Sequence, residues 1–180
     1  MQTHLIPEEL PYTGRELRSH WIMETCNLQG DAIVAFLGPC DVALEHMVDL
    51  ADVAVGASIR ARQMLHFIVE RFDTDLEKMV LWQRLLVAIA GELLPPAVTR
   101  RGDDLFARDR KLSVSIATAS PVSTLIHFAL NVDPTGAPVP AIGLEELGVD
   151  PRDFAQRLMA AFADELAGVR EARCKVRPVS

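Results

Sequence analysis

Lys111-Leu-Ser-Val-Ser-Ile-Ala-Thr118, then Thr124-Leu-Ile-His-Phe-Ala-Leu-Asn-Val132 after the short link Ala119–Ser123, decide how this chain folds. Both segments favour strands, with β-branched and aromatic residues spaced two apart. The link is too short for the crossover that a parallel pair needs, so the two strands run antiparallel. Alternation puts Leu112, Val114 and Ile116 on one face of the first strand, and Lys111, Ser113, Ser115 and Ala117 on the other. In the second strand Ile126, Phe128, Leu130 and Val132 face away from Leu125, His127, Ala129 and Asn131.

A third segment, Met64-Leu-His-Phe-Ile-Val-Glu-Arg71, splits in the same way. Leu65, Phe67 and Val69 are apolar, against His66, Ile68 and Glu70. If the three strands are neighbours, helices cover the greasy faces. The remaining face then collects Lys111, Ser113, Ser115, His127, Asn131, His66 and Glu70. A lysine for charge, hydroxyls and amides for hydrogen bonds, and small residues for room suit a ligand with a carboxylate or phosphate. The alternative is a face that simply meets water. Ser and Ala in place of Lys, Glu and Thr favour the ligand.

Further out, residues 31–37 read as a buried strand closed by Gly38-Pro39, and residues 41–55 favour a helix. Thr74 and Glu77 form a capping-box pair ahead of a helix with the stripe Met79, Trp82, Leu86, Ile89 and Leu93, which Pro95-Pro96 stops. Leu105–Arg108 and the 111–118 strand flank Asp109-Arg110 as a hairpin. Residues 133–143 read as a loop. Asp150 caps a last helix that opens with Pro151 and buries Phe154, Leu158, Phe162, Leu166 and Val169. The expectation is a single α+β domain over residues 1–180, an antiparallel sheet flanked by helices.

Composition narrows the function. The 180 residues are 49% hydrophobic and carry a net charge of −7. That disfavours a nucleic-acid binder, which needs clustered Lys and Arg. Basic residues gather only locally, at 15–18, 60–62 and 100–111. The three cysteines, Cys26, Cys40 and Cys174, are odd in number and widely spaced, which fits a reducing compartment rather than a disulfide framework. No signal peptide or membrane span is visible, so a cytoplasmic protein is expected.

The stretch Gly102–Ala117, with Leu125-Ile-His-Phe-Ala-Leu-Asn-Val132, resembles the catalytic domain of lipoate–protein ligases. There an Asn-Asp-Leu strand leads to a Lys-x-Ser-Gly-x-Ala strand, and a His-Gly-Thr-Leu-Leu strand follows. Biotin–protein ligases and class II aminoacyl-tRNA synthetase cores share the architecture. Tyr12-Thr-Gly-Arg-Glu-Leu-Arg-Ser-His-Trp21, Gly38-Pro-Cys-Asp-Val42, Met64–Glu70 and Lys111–Thr118 also identify the chain as similar to an uncharacterised group, domain-of-unknown-function family 366, placed in the same fold.

The resemblance implies roles residue by residue. Lys111 sits where the ligases keep the lysine that contacts the acid carboxylate and the adenylate phosphate. Asp104 matches the Asp of Asn-Asp-Leu, with Asp103 in place of the Asn. His127 matches the His before the Gly-Thr-Leu-Leu run, and Arg60 and Arg62 lie where the ligases carry a basic loop. The departures are Val114 and Phe128 at two glycine positions, and Gly56-Ala-Ser-Ile-Arg-Ala-Arg62 in place of a glycine run. They shrink the room for a long acyl chain or for an adenylate in the usual pose.

Other readings stay open. His66 and His127 are equally well histidines satisfied by hydrogen bonds at the core edge. With Glu70 they lack the tight spacing of a metal site, and no metal is predicted. Cys40 reads as a buried structural thiol rather than an acyl acceptor. Asp103-Asp104 serves a cation, a ribose or a turn. The Tyr12–Trp21 segment is a lid or a dimer contact. Two functions therefore compete. One is an ATP-dependent acid ligase or acyltransferase with Lys111 as the catalytic cation. The other is a non-catalytic module that binds a small carboxylate or nucleotide. Self-association is expected, because folds of this kind pair through sheet edges.

Overall fold

The computed structural model describes residues 1–179. Strand β1 (Gln2–Leu5) leads into a long irregular segment and the short helix α1 (Trp21–Cys26). Strand β2 (Ala32–Val42), a 3-10 turn over Leu44–His46 and the short helix α2 (Leu50–Val55) follow. Then come β3 (Ile59–Arg71) and the long helix α3 (Leu76–Leu93). Three short strands, β4 (Val98–Arg101), β5 (Asp104–Ala107) and β6 (Arg110–Lys111), precede β7 (Ser113–Ala119) and β8 (Thr124–Asp133). The long helix α4 (Pro151–Cys174) comes last.

The main sheet has the order β1-β2-β3-β8-β7. Its pairs are antiparallel except β1 with β2 at one edge. A second sheet joins β4, β5 and β6. Helices α3 and α4 pack on one face of the main sheet, over Leu65, Phe67, Val69, Ile126, Phe128 and Leu130. An α+β fold with a largely antiparallel sheet flanked by helices is therefore present.

Several boundaries move for local reasons. β2 runs through Pro39 instead of ending there. Its register with β3 skips from Gly38 to Cys40, so the proline sits in a bulge where its missing N–H breaks no ladder bond. α3 begins one residue later than the Thr74–Glu77 box implies, because Asp75 accepts from the Lys78 amide at 3.0 Å. The hairpin turn is Arg108-Asp109, both at positive φ, rather than Asp109-Arg110. α4 starts as the sequence predicts: Asp150 accepts from the Asp153 amide at 2.7 Å, with Pro151 first in the helix. Val169, however, is exposed.

The largest difference concerns the second face of the sheet. It is covered. After β1 the chain runs along β2, with the Ile6, Leu10 and Tyr12 amides donating to Ala35, Leu37 and Pro39 carbonyls. It then crosses the sheet, and Tyr12, Trp21 and Ile22 seal a second apolar core with Ala32, Val34, Phe36, Met64 and Ile68. The Tyr12–Trp21 segment is thus a strap across this chain's own sheet. The stretch that leads into it along β2 explains Gly38: a Cβ there would lie 1.8 Å from the Leu10 carbonyl oxygen.

Candidate functional site

Register assigns the β7 side chains. Residues directly opposite on an antiparallel pair point to the same face. Ser113 lies opposite Leu130, Ser115 opposite Phe128, and Ala117 opposite Ile126. Val114 lies opposite Ala129 and Ile116 opposite His127. Ser113 and Ser115 therefore do not share the face of His127, as the alternation argument expected. They point toward the helices, and their hydroxyls are committed. Ser113 Oγ accepts from the Leu105 amide at 2.9 Å. Ser115 Oγ donates to the Asp103 carbonyl at 3.0 Å and accepts from Gln83 Nε2 at 2.7 Å. The greasy-face rule fails because the opposite face of the sheet is also a core. A lysine–serine strand was expected to be continuous, but it breaks at Leu112: Lys111 belongs to β6 and Ser113 to β7.

Where the strap ends, the second face opens into a cavity of about 530 Å³. Its lining includes the buried polar residues Tyr12, His127 and Asn131, at 4%, 3% and 7% exposure. Val42, Met47, Ile59, Met64 and Val114 make apolar walls. Lys111, Asp104, Asp103 and Arg60 border the cavity, as do Ser113 and Ser115 along the β7 edge. Of the residues expected at the site, Arg62, His66 and Glu70 stand away from it. Arg62 pairs with Asp133 at 3.1 Å. Glu70, 1% exposed, accepts from the His20 amide and from the Ser123 hydroxyl, both at 2.8 Å, and so anchors the strap.

His66 lies behind His127 and fixes its state. His66 Nε2 lies 3.3 Å from the Gly38 carbonyl, which can only accept, so Nε2 carries the proton. Burial pushes the His66 pKa down to about 3, and the ring is neutral. Its Nδ1 must then accept from His127 Nε2, 3.1 Å away. His127 is also driven well below the ordinary histidine range, by burial first and by His66 second. The bare nitrogen of His127 is therefore Nδ1. Tyr12 stacks on this ring with centroids 3.7 Å apart and planes 7° from parallel.

Lys111 Nζ sits 2.8 Å from Asp104 Oδ2. The Asp104 carboxyl is nonetheless raised: burial outweighs the lysine, and the charges of Asp103 and Asp52 add to it. Asn131 Nδ2 holds the Lys111 backbone by donating to its carbonyl at 3.2 Å. Residues 133–143 are not a free loop, since the Lys111 amide donates to the Pro140 carbonyl at 2.9 Å. Arg60 is paired with Asp41 at 3.0 Å and is largely exposed. Gly56 ends α2 in the left-handed conformation and belongs to no phosphate-cradling glycine run. Around the cavity the carboxylates of Asp49, Asp52, Asp103 and Asp104 outnumber the cations of Arg60 and Lys111.

Cys40 is 1% exposed, and burial with the nearby charges of Asp41 and Glu16 pushes its thiol up to about 12. Such a thiol is a structural group rather than a nucleophile. No cluster of metal-ligating side chains is present among the described residues. No helix among them is long and apolar enough to cross a membrane. The sequence did not single out Asp49, Asp52 or the wall residues Met47 and Ile59. Tyr12 was visible only as part of a distinctive segment.

A family profile described as "Domain of unknown function (DUF366)" matches residues 1–177. An uncharacterised protein of Methanocaldococcus jannaschii is 38% identical over 189 residues, covering 99% of this chain and 86% of that protein. A solved protein of unknown function from Pyrococcus horikoshi is 41% identical with a TM-score of 0.94, covering 99% of each chain. The biotin protein ligase of Aquifex aeolicus, solved in complex with biotin and ATP, has a TM-score of 0.60 at 14% identity. That match covers 93% of this chain and 72% of the ligase. Lipoate-protein ligase A bound with ATP has a TM-score of 0.51 at 17% identity, with 92% and 85% covered. At such identities the two ligases establish the likeness of fold. The profile and the two closely similar relatives establish the family: this chain belongs to the DUF366 family.

Proposed function

We propose that this member of the DUF366 family binds a small carboxylic acid in the cavity bordered by Lys111 and activates it with ATP. The observation that carries the reading is the placement of Lys111. It is one of two cations beside a cavity of ligand size, the more buried of the two, and among the described residues its ion-pair partner is the half-buried Asp104 carboxylate. Asp104 is a poor long-term partner, since burial, Asp103 and Asp52 all press it toward its protonated form. An arriving acid can therefore take over the lysine. The acid oxygen would attack the α-phosphorus of ATP, and the bond to pyrophosphate would break, leaving an acyl-adenylate. Lys111 would hold the negative charge shared by the carboxylate and the phosphate. The ligase structures bound to biotin and ATP lend support, since they share the fold.

A second reading is a binding module without turnover. The pairing of Arg60 with Asp41 and of Arg62 with Asp133 favours it, as does the missing glycine run, because together they leave little to cradle a triphosphate. Incubation with ATP and a panel of small acids separates the two. Pyrophosphate release that Lys111→Ala abolishes supports activation. Acid binding that Lys111→Ala weakens, with no release, supports the module. Loss of neither sinks both. The proposal also takes the chain as a single domain acting in the cytoplasm. It includes a homodimer through the outer edge of β7, which has no strand partner among the described residues. Light scattering reads that mass.

A further inference from the structure

We infer that the ligand head entering this cavity carries N–H or O–H donors, and is not an apolar acyl chain. This rests on the reading of the cavity as an acid-binding site and adds what the rest of the acid must be. The argument comes from three side chains that line it, Tyr12, His127 and Asn131, all more than nine-tenths buried.

Each presents a polar atom with no protein partner among the described residues, and each of these atoms keeps some solvent contact. On His127 that atom is Nδ1, because Nε2–H is spent on His66. The His66 bond to the Gly38 carbonyl fixes the direction of the whole chain of hydrogen bonds, so Nδ1 can only accept. On Asn131 both protons of Nδ2 are spent, on the Lys111 and Ile142 carbonyls at 3.2 and 3.3 Å. Its Oδ1 is left to accept. The Tyr12 hydroxyl can donate or accept, and burial pushes its pKa up, so it keeps its proton. The nearby carboxylate of Asp52 is an acceptor too.

These three side chains thus offer two fixed acceptors and one adjustable hydroxyl. A methylene chain or dithiolane ring placed there would strip water from these atoms and return nothing. A buried acceptor left without a donor is penalised much more than a matched pair gains. A site built in this way selects by hydrogen-bond donors, and rejects the analogue that lacks them. The apolar walls of Ile59, Met64 and Val114 would hold the short spacer between the head and the acid group at Lys111.

The test uses three acids of similar length: 5-aminopentanoate, 4-ureidobutyrate and hexanoate. Calorimetry on the wild-type protein is expected to show at least one donor-headed acid binding about 10-fold or more tightly than hexanoate. In 15N NMR the His127 Nδ1 resonance should shift when that acid binds, and should not shift with hexanoate. His127→Phe and Asn131→Leu should each shrink the preference. Hexanoate binding as well as both donor-headed acids, with Lys111→Ala weakening all three, overturns the inference and leaves the acid site standing. A preference that survives both variants also overturns it. No binding of any of the three overturns both. The wild-type comparison stands even if a variant fails to fold.

Discussion

The two faces of the main sheet are built differently. One meets two long helices that bury Phe128, Phe154 and Phe162 among aliphatic neighbours, with Gln83 and Ser115 bonded to each other at its edge. The other meets a strap with little regular structure, and beneath it lie His66, His127 and Glu70. A long helix satisfies its own backbone and brings a continuous apolar stripe, so its face closes. An irregular strap has amides and carbonyls to satisfy, and the sheet face under it supplies a buried carboxylate, Glu70, for the His20 amide, with the Ser123 hydroxyl donating to the same carboxylate to hold it in place. A face built for such partners is the one that can end in a polar cavity. The cavity opens on the strapped face, where the strap ends.

The sharpest way to break this contrast is a large truncation on the helix-covered face. Phe128→Ala should cost about 3–5 kcal/mol by chemical denaturation and leave acid preference unchanged in the folded fraction. Altered preference would show that the two faces are not separate. Gly38→Ala tests the strap, because its Cβ would collide with the Leu10 carbonyl. A loss of about 3 kcal/mol is expected, with hydrogen exchange rising in residues 6–22 while α4 stays protected. A uniform rise would mean that the strap and the helices unfold as one unit.

Acidification should weaken the strapped face more gently. The folded pKa of His66 is depressed to about 3, so the unfolded chain takes up the proton first as pH falls. Stability is therefore complete above pH 6.5 and is lost toward pH 3. From pH 6.5 to 5 the expected loss is about 2 kcal/mol for this histidine alone. His66→Phe should flatten that slope, and an unchanged slope would refute the neutral pair. The smallest effect on stability belongs to the cavity rim. Lys111→Met should change it by about 1 kcal/mol or less, since the pair with Asp104 is part-exposed, while acid binding is lost. A large destabilisation would make Lys111 a structural residue.

Much of the fold was legible in the sequence. The 3.6-residue stripe and the Asp150-Pro151 start predicted α4, and the period-two segments predicted β3, β7 and β8. Lys111, Asp104, His127 and Asn131 were picked out and do border one cavity. Ser113 and Ser115 were assigned to the wrong face, because alternation tells which residues share a side but not which side faces helices. With apolar cores on both faces, Val114 and Ile116 read as core in either orientation. Tyr12 escaped for a different reason. Its role depends on a strap that crosses the sheet and stacks it on His127, a contact between residues far apart in sequence.

By itself, then, the sequence determined local matters: which segments are strands, where the long helices start, and an acidic chain with one lysine in a distinctive setting. Each follows from neighbours along the chain, through propensity, periodicity and capping. Only the tertiary structure decided which atoms are left without partners. His127 Nδ1 is bare because His66 must donate to the Gly38 carbonyl, and Asn131 Oδ1 is bare because its two protons are spent on Lys111 and Ile142. Hydrogen-bond capacity is spent across space rather than along the chain, so what remains for a ligand can be counted only after the chain has folded.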